Sequence, residues 1–279
     1  MPAQRRELVH AAKASERRAC VVLDEARSSV RYRSRCRRDD VALRGKIRAL
    51  AEAEPRWGCP QITRVLKRDQ GVLDNHKRVE RLYGLEQLQL PRRRRKRASW
   101  IHREPAKTPT RPNERWSMDF VHDGMASGRQ VKVLSIVDDF TKKSPTIEIA
   151  SSIRGSRVAE VLEELAQWHP LPKEIVTDNG SEFRSIAMDQ WAYAHGVKLR
   201  FIQPGKPVQN CFVESFNGKL RYECLDTHWF RNIAHAREEI EKWWIKYNTY
   251  RTHSSLGGVT PAEFERRQSE AGCQQMVGA

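Results

Sequence analysis

Apolar positions recur first at helical spacing and then, past about residue 113, in alternating and continuous runs, so the pattern predicts a helical front part and an α/β body. In the front part Leu43, Ile47 and Leu50, then Ile62, Val65 and Leu66, then Val79, Leu82 and Tyr83 mark three amphipathic helices. Pro55-Arg56-Trp57-Gly58-Cys59-Pro60 and Gly71-Val72 punctuate them, which predicts a compact three-helix module over 39–90. Before it, Ser15-Glu16-Arg17-Arg18 and Arg27-Ser28-Ser29-Val30-Arg31-Tyr32 read as two short helices within 1–38, an arrangement open to a helix-turn-helix or to a plain basic helix pair.

Alternation takes over in Trp116-Ser117-Met118-Asp119-Phe120, in Val131 to Val137 across Gly124 and Gly128, and in Thr146 to Ile149. Val158, Val161, Leu162 and Leu165 then predict a helix, and Glu174-Ile175-Val176-Thr177 a short buried strand stopped by Asp178-Asn179-Gly180. A helix around 187–195, a strand at 198–202 and a helix carrying Glu214 complete a core over 113–225. Over 226–279 a helical extension follows, with Ile233, Ile240, Trp243, Trp244 and Tyr247 on one stripe, read as packing rather than as a base-stacking surface. The fold class is therefore α/β behind a small all-α region.

Composition adds a partner. The 279 residues carry a formal charge of +16, a field that attracts phosphates. Arg92, Arg93, Arg94, Arg95, Lys96 and Arg97 fall in a segment, 91–112, with little to bury, which predicts a linker lying along DNA. On the three-helix module, Arg64, Lys67, Arg68, His76, Lys77 and Arg78 are expected to form an outward basic face. Pro204-Gly205-Lys206-Pro207 reads as a basic loop able to close over substrate. Six cysteines form no CxxC pair, so neither a zinc site nor a disulfide framework is expected. No apolar run approaches the ~20 residues that span a bilayer, so secretion and membrane insertion are not expected.

Asp119, Asp178 and Glu214 stand out as chemistry. A carboxylate inside an apolar strand is costly unless it meets a cation, and a turn at the end of a buried strand presents its acid to a ligand. Positions 179 through 213, 35 residues, separate the last two acids, and 120 through 177, 58 residues, the first two. With Val137-Asp138-Asp139-Phe140, Asp178-Asn179-Gly180 before Glu182-Phe183, Phe212-Val213-Glu214-Ser215-Phe216-Asn217-Gly218, and Asn248, Arg251, His253, Ser254-Ser255-Leu256-Gly257, Thr260 and Pro261, the chain resembles the DDE transposases of the retroviral-integrase superfamily. The wording is similar to that of the second-reading-frame transposases of two-frame bacterial insertion sequences.

That resemblance implies a ribonuclease-H-like integrase core behind helix-turn-helix DNA-binding elements. It implies that Asp119, Asp178 and Glu214 hold two Mg²⁺ ions, with Mn²⁺ as a substitute, Asp119 bridging both. It implies metal-dependent cutting and joining of DNA at element ends and target, association or fusion with an upstream-frame product, a homo-oligomer on DNA, and a cytoplasmic, nucleoid-associated location. Arg221, seven residues after Glu214 and so on its helix face, is expected to contact DNA with Lys206 and the Arg92–Arg97 run. Asp138 and Asp139 are the rival acids, read as turn caps; Asp123 and Glu182 are expected near the site without holding the ions. Where the family has Arg-Pro-His this chain has Arg251-Thr252-His253. A non-catalytic DNA-binding regulator and a nuclease that cuts without joining remain open readings.

Overall fold

The computed structural model describes residues 7–9, 11, 15–31, 40–71, 75–91, 108–203 and 210–277, with side chains to 270. The Arg92–Arg97 run and Lys206 lie outside the described residues. Ser15 caps helix α1 (Glu16–Val22) by accepting from the Arg18 backbone N–H, and Glu16 pairs with Arg27 and Arg31 of α2 (Arg27–Arg31). Val9, Ala19, Cys20 and Val30 make a small core between these two helices.

Helices α3 (Asp40–Ala53), α4 (Cys59–Gln70) and α5 (His76–Leu85) form the expected three-helix module. Its core joins Leu43, Ile47, Trp57, Ile62, Val65, Leu66, Val79, Leu82 and Tyr83, the residues singled out by their spacing together with Trp57. Helix α4 starts with a proline in its first turn and ends on left-handed Gly71, both suited to those ends.

The expected outward basic face is only partly outward. Arg78 turns in to the buried carboxylate of Asp40 (2.7 Å), where Arg81 joins it. Arg64 donates to Thr252 Oγ1 (3.0 Å) and Arg68 to the Tyr250 carbonyl (2.8 Å). These partners lie far along the chain, so helical periodicity alone could not reveal them. Lys67, His76 and Lys77 remain exposed.

The body is a five-stranded sheet of order β3-β2-β1-β4-β5 built from β1 (Arg115–Gly124), β2 (Gln130–Asp138), β3 (Ile147–Ala150), β4 (Glu174–Thr177) and β5 (Lys198–Phe201). The first three strands pair antiparallel, and β4 and β5 run parallel to β1. Alternation splits the sheet residues between two cores. Trp116, Met118, Leu134, Ile136 and Ile175 meet α6 (Gly155–Ala166) and α7 (Ile186–His195). Val121, Val131, Val133, Val137 and Ile149 meet α8 (Cys211–Glu223) and α9 (Ile233–Thr249). Trp243 and Tyr247 pack on Phe216 in this second core, as expected of a packing stripe.

A last helix, α10 (Pro261–Val277), follows a turn at 254–258 and returns to the sheet, with Phe264 against Phe140 and Lys143 bonded to Glu265 (2.6 Å). Trp57 of the helical module stacks on Tyr250 at 5.7 Å, joining the module to the end of α9.

Gly155 opens α6 under the loop that follows β4. A Cβ placed on it would lie 2.6 Å from the Glu182 carbonyl oxygen and 2.1 Å from Ser185 Oγ. Gly155→Ala is therefore expected to lower stability by about 1–3 kcal/mol in urea unfolding. Gly45→Ala, in the interior of α3 with nothing within 4 Å of the added carbon, is expected to stabilise by about 0.5–1 kcal/mol. Equal effects of the two substitutions would show that the close approach at Gly155 is not what constrains that loop.

Candidate active site

Asp119 sits in the middle of β1, and its parity with Ser117 and Val121 points it to the side of the sheet covered by α8. Ser117 is level with Val176 in the parallel β1–β4 pairing. Two residues further on, Asp119 stands level with Asp178, immediately past the end of β4, on strands about 4.8 Å apart. Asp178 is held in its turn by the Gly180 backbone N–H, which donates to Oδ1 at 2.9 Å. Asn179 ties the same turn to β5 through the Ile202 carbonyl (2.8 Å).

Glu214 lies in the first turn of α8, exposed to solvent. Three residues later, on the same helical face, Asn217 donates from Nδ2 to Asp119 Oδ2 at 2.9 Å. This bond fixes α8 against β1. Asn210, just before α8, adds a second tie, Nδ2 to the Met118 carbonyl (3.2 Å). Neither asparagine was singled out as a site residue from the sequence; the i, i+3 relation to Glu214 is the signal that points to Asn217.

Burial pushes the Asp119 carboxyl up to about 6, and the charges of Asp178 and Glu214 push the same way, against the lowering hydrogen bonds from Phe120 N–H and Asn217. Asp178 and Glu214 thus lie close enough for their charges to act on Asp119. Among the described residues no three His, Cys, Asp or Glu side chains are gathered into a ready-made metal cage. The donors facing this neighbourhood are all oxygens, and like charges forced together fit a hard divalent cation. Mg²⁺ is ordinarily held by one or two carboxylates plus substrate phosphate rather than by a closed protein cage, so an open set of acids is compatible with it.

The rival acids are spent on structure. Asp138 caps its turn, accepting from the backbone N–H groups of Asn113 (2.7 Å), Phe140 (2.7 Å) and Thr141 (2.9 Å). Asp139 is fully buried and accepts from Arg115 Nε (2.5 Å) and Ser117 Oγ (2.6 Å). Glu182 pairs with Lys132, and Asp123 accepts from the Gly124 N–H that follows it. Phe183 stacks on Phe120 at 4.9 Å, holding the Asp178 loop to β1. Arg221 is exposed one turn from the end of α8, on the Glu214 side, and donates to the His122 carbonyl (2.9 Å).

Comparison with known proteins places this geometry in a family. The integrase core domain matches residues 109–207 and again 195–261, and an HTH-like domain matches 37–96, which takes in the three-helix module. The chain is 44% identical over 250 residues to the uncharacterized 31.7 kDa protein of insertion element IS407 from Burkholderia multivorans, covering 90% of each. It is 29% identical over 241 residues to the transposase for insertion sequence element IS904 from Lactococcus lactis, covering 81% of this chain and 94% of that one. Among solved structures, a chain of the simian T-cell lymphotropic virus intasome in complex with PP2A regulatory subunit B56 gamma aligns with a TM-score of 0.52 at 14% identity, over 78% of this chain and 74% of that one. At that identity the likeness speaks for the fold alone, a mixed sheet of the ribonuclease-H-like integrase type. By its domains and its close relatives, this chain belongs to the insertion-sequence transposases of the DDE integrase superfamily.

Proposed function

We propose that the chain is a catalytically competent transposase that cuts and joins DNA strands at element ends by metal-dependent transesterification. The observation that carries this reading is the register of β1 and β4, which sets Asp119 beside Asp178, together with the Asn217 bond that brings the Glu214 helix onto the same acid.

Two divalent ions, Mg²⁺ or Mn²⁺, would be held by Asp119, Asp178 and Glu214; when bound they neutralise the scissile phosphate and activate the attacking hydroxyl. The chain's own part is positional. Asp119 is fixed by Asn217 and the Phe120 N–H, and Asp178 by Gly180, so two acids are oriented before any ligand arrives. Arg221, with its fork of donors on the same helix face as Glu214, would hold a DNA phosphate beyond the reacting one. The HTH-like module would bring the duplex, with the basic segment at 92–97 and Lys206 adding phosphate contacts. The unit at 1–38, a second helix-turn-helix in this reading, association with an upstream-frame product, assembly as a homo-oligomer on DNA and a nucleoid-associated, cytoplasmic location belong to the same proposal. No helix among the described residues is long and apolar enough to cross a membrane.

Asp119→Asn, Asp178→Asn and Glu214→Gln are each expected to abolish cleavage and strand joining on an oligonucleotide carrying the element end, while leaving duplex binding nearly intact, because such ligands act as a unit. Near-normal joining by any one of them removes that residue from the set. Cleavage by the wild type without joining would favour a plain nuclease.

Arg221→Ala is expected to lower joining while leaving Mg²⁺ binding unchanged; equal joining by variant and wild type would make Arg221 a surface residue.

In metal-free buffer Asp119 also predicts a pH effect. Its folded pKa of about 6 lies above the unencumbered 3.8, so the stability it contributes is complete below 3.8 and is lost as pH rises through about 6. Asp119→Asn should therefore unfold at higher urea than wild type at pH 8, by about 1–3 kcal/mol, with the difference closing toward pH 3.5. Mg²⁺ should stabilise the wild type at pH 8 and not the variant. A variant no more stable than wild type at pH 8 would mean that charge crowding at Asp119 is already relieved.

A further inference from the structure

Helix α8 carries three distinct stripes, and the acids use only one of them. Val213, Phe216 and Leu220 are buried in the core. Glu214, Asn217 and Arg221 lie to one side of that stripe. Phe212, Lys219 and Glu223 lie to the other, at i, i+7 and i+11, again nearly in line.

Around this second flank the fold collects cations from several separate segments. Lys142 Nζ stands 3.6 Å from the centre of the Phe212 ring, and Arg115 lies over the same ring at 5.6 Å. One turn of helix from Phe212, Ser215 accepts from Lys219 Nζ through Oγ (2.8 Å) and its carbonyl (3.1 Å). Arg251 grips Glu223 with two nitrogens, at 2.9 and 2.7 Å. Arg64 reaches in from α4 to Thr252, and Arg56 lies 4.8 Å over the ring of Tyr222.

The carboxylates in this region are engaged. Glu223 serves Arg251 and Trp243, Asp139 serves Arg115 and Ser117, and Asp138 caps its turn. Neither Lys142 nor Lys219 has a carboxylate at ion-pair distance among the described residues. Their bonds go to the Asp139 carbonyl and to Ser215. Burial pushes both ammonium groups down to about 8; the neighbouring Arg251 and Lys142 push Lys219 further down while Glu223 partly restores it, and Asp139 and Asp138 partly restore Lys142. Lys142 also occupies the left-handed region at φ 61°, a conformation that a residue with a side chain seldom adopts. The turn that Asp138 caps holds it there, folded back over Phe212.

We propose that this flank of α8, from Lys142 over Phe212 to Lys219 and on toward Arg64 and Arg56 of the helical module, is a phosphate track for duplex DNA that leads from the HTH-like module to the Glu214 end of α8. The track rests on the transposase reading and adds a contact surface on the side of α8 away from the acids. Two half-buried ammonium groups with no carboxylate at ion-pair distance among the described residues have lost part of their hydration, and an incoming phosphate offsets that loss. The aromatic ring keeps Lys142 at the start of the helix, and Ser215 keeps Lys219 about two turns along.

The test uses the full chain and a random-sequence duplex in EDTA, so that neither the acids nor an element end contributes. Lys142→Gln and Lys219→Gln should each lower the slope of log affinity against log salt by about 0.9, the share of one phosphate contact. Lys142→Arg and Lys219→Arg should keep the wild-type slope, and Lys198→Gln, at the far edge of the sheet, should not change it. Independently of any substitution, bound duplex should protect Lys142 and Lys219 of the wild type from acetylation, read by mass spectrometry. Unchanged slopes in folded Gln variants, or both lysines acetylated as fast with DNA as without, overturn the track. A wild-type chain that binds no duplex under these conditions overturns the transposase reading itself, and the track with it.

Discussion

Putting a carboxylate in the middle of a central β-strand is the constraint on which the integrase-core part of this chain turns. Asp119 cannot be paid off by an arginine without losing its availability, and among the described residues no cationic side chain bonds to it; its partners are an amide and a backbone N–H. The neutral donors hold the acid in place without cancelling its charge. Asp139, just past the end of the neighbouring strand β2, is treated in the opposite manner, buried against Arg115 and Ser117. Two acids of the same sheet are thus told apart by their partners, one satisfied by a cation and closed to solvent, the other held by neutral groups and left seeking one.

Much of this was legible before any coordinates. The strands around Asp119 and Asp178, the helix of Val158 and Leu162, and the three-helix module all follow from spacing, because each has one buried face and the period of burial is local. The last helix is less visible in its burial pattern, although Thr260-Pro261 is a starting signal and Thr260 Oγ1 does accept from the Glu263 N–H at 3.2 Å. What could not be read were pairings across long separations. Arg64, Arg68 and Arg78 sit at outward positions of an isolated helix, yet Arg78 neutralises Asp40 and the other two reach the far end of the chain. Register has the same character. The pairing of Ser117 with Val176 decides that two acids become neighbours, and no local pattern contains it.

Those long-range pairings also alter what the helical module is. Trp57 stacked on Tyr250, Lys246 bonded to Glu54, and Thr252 Oγ1 donating to Gln61 at 3.1 Å make a mixed apolar and polar contact between the module and the end of α9. Next to it Arg251 holds Glu223, the last residue of the Glu214 helix. His253 is buried beside Tyr247 and is pushed down to about 3 by burial and by Arg251, Lys219 and Arg64, so it stays neutral at any pH the fold meets in ordinary buffers. A charged imidazole here would add one more cation to a crowded group, and the fold avoids it by desolvation.

From these contacts follows a mechanical consequence for α8. Its amino end is tied to β1 through Asn210 and Asn217, and its carboxyl end to the module through Glu223, Arg251 and Tyr222. Between the ties the helix is seated by Val213, Phe216 and Leu220, all fully buried. The helix is thus held at both ends as well as along its buried stripe. The helix tied to the helical module at one end carries Glu214 at the other, so the module and the candidate acid are joined through one structural element.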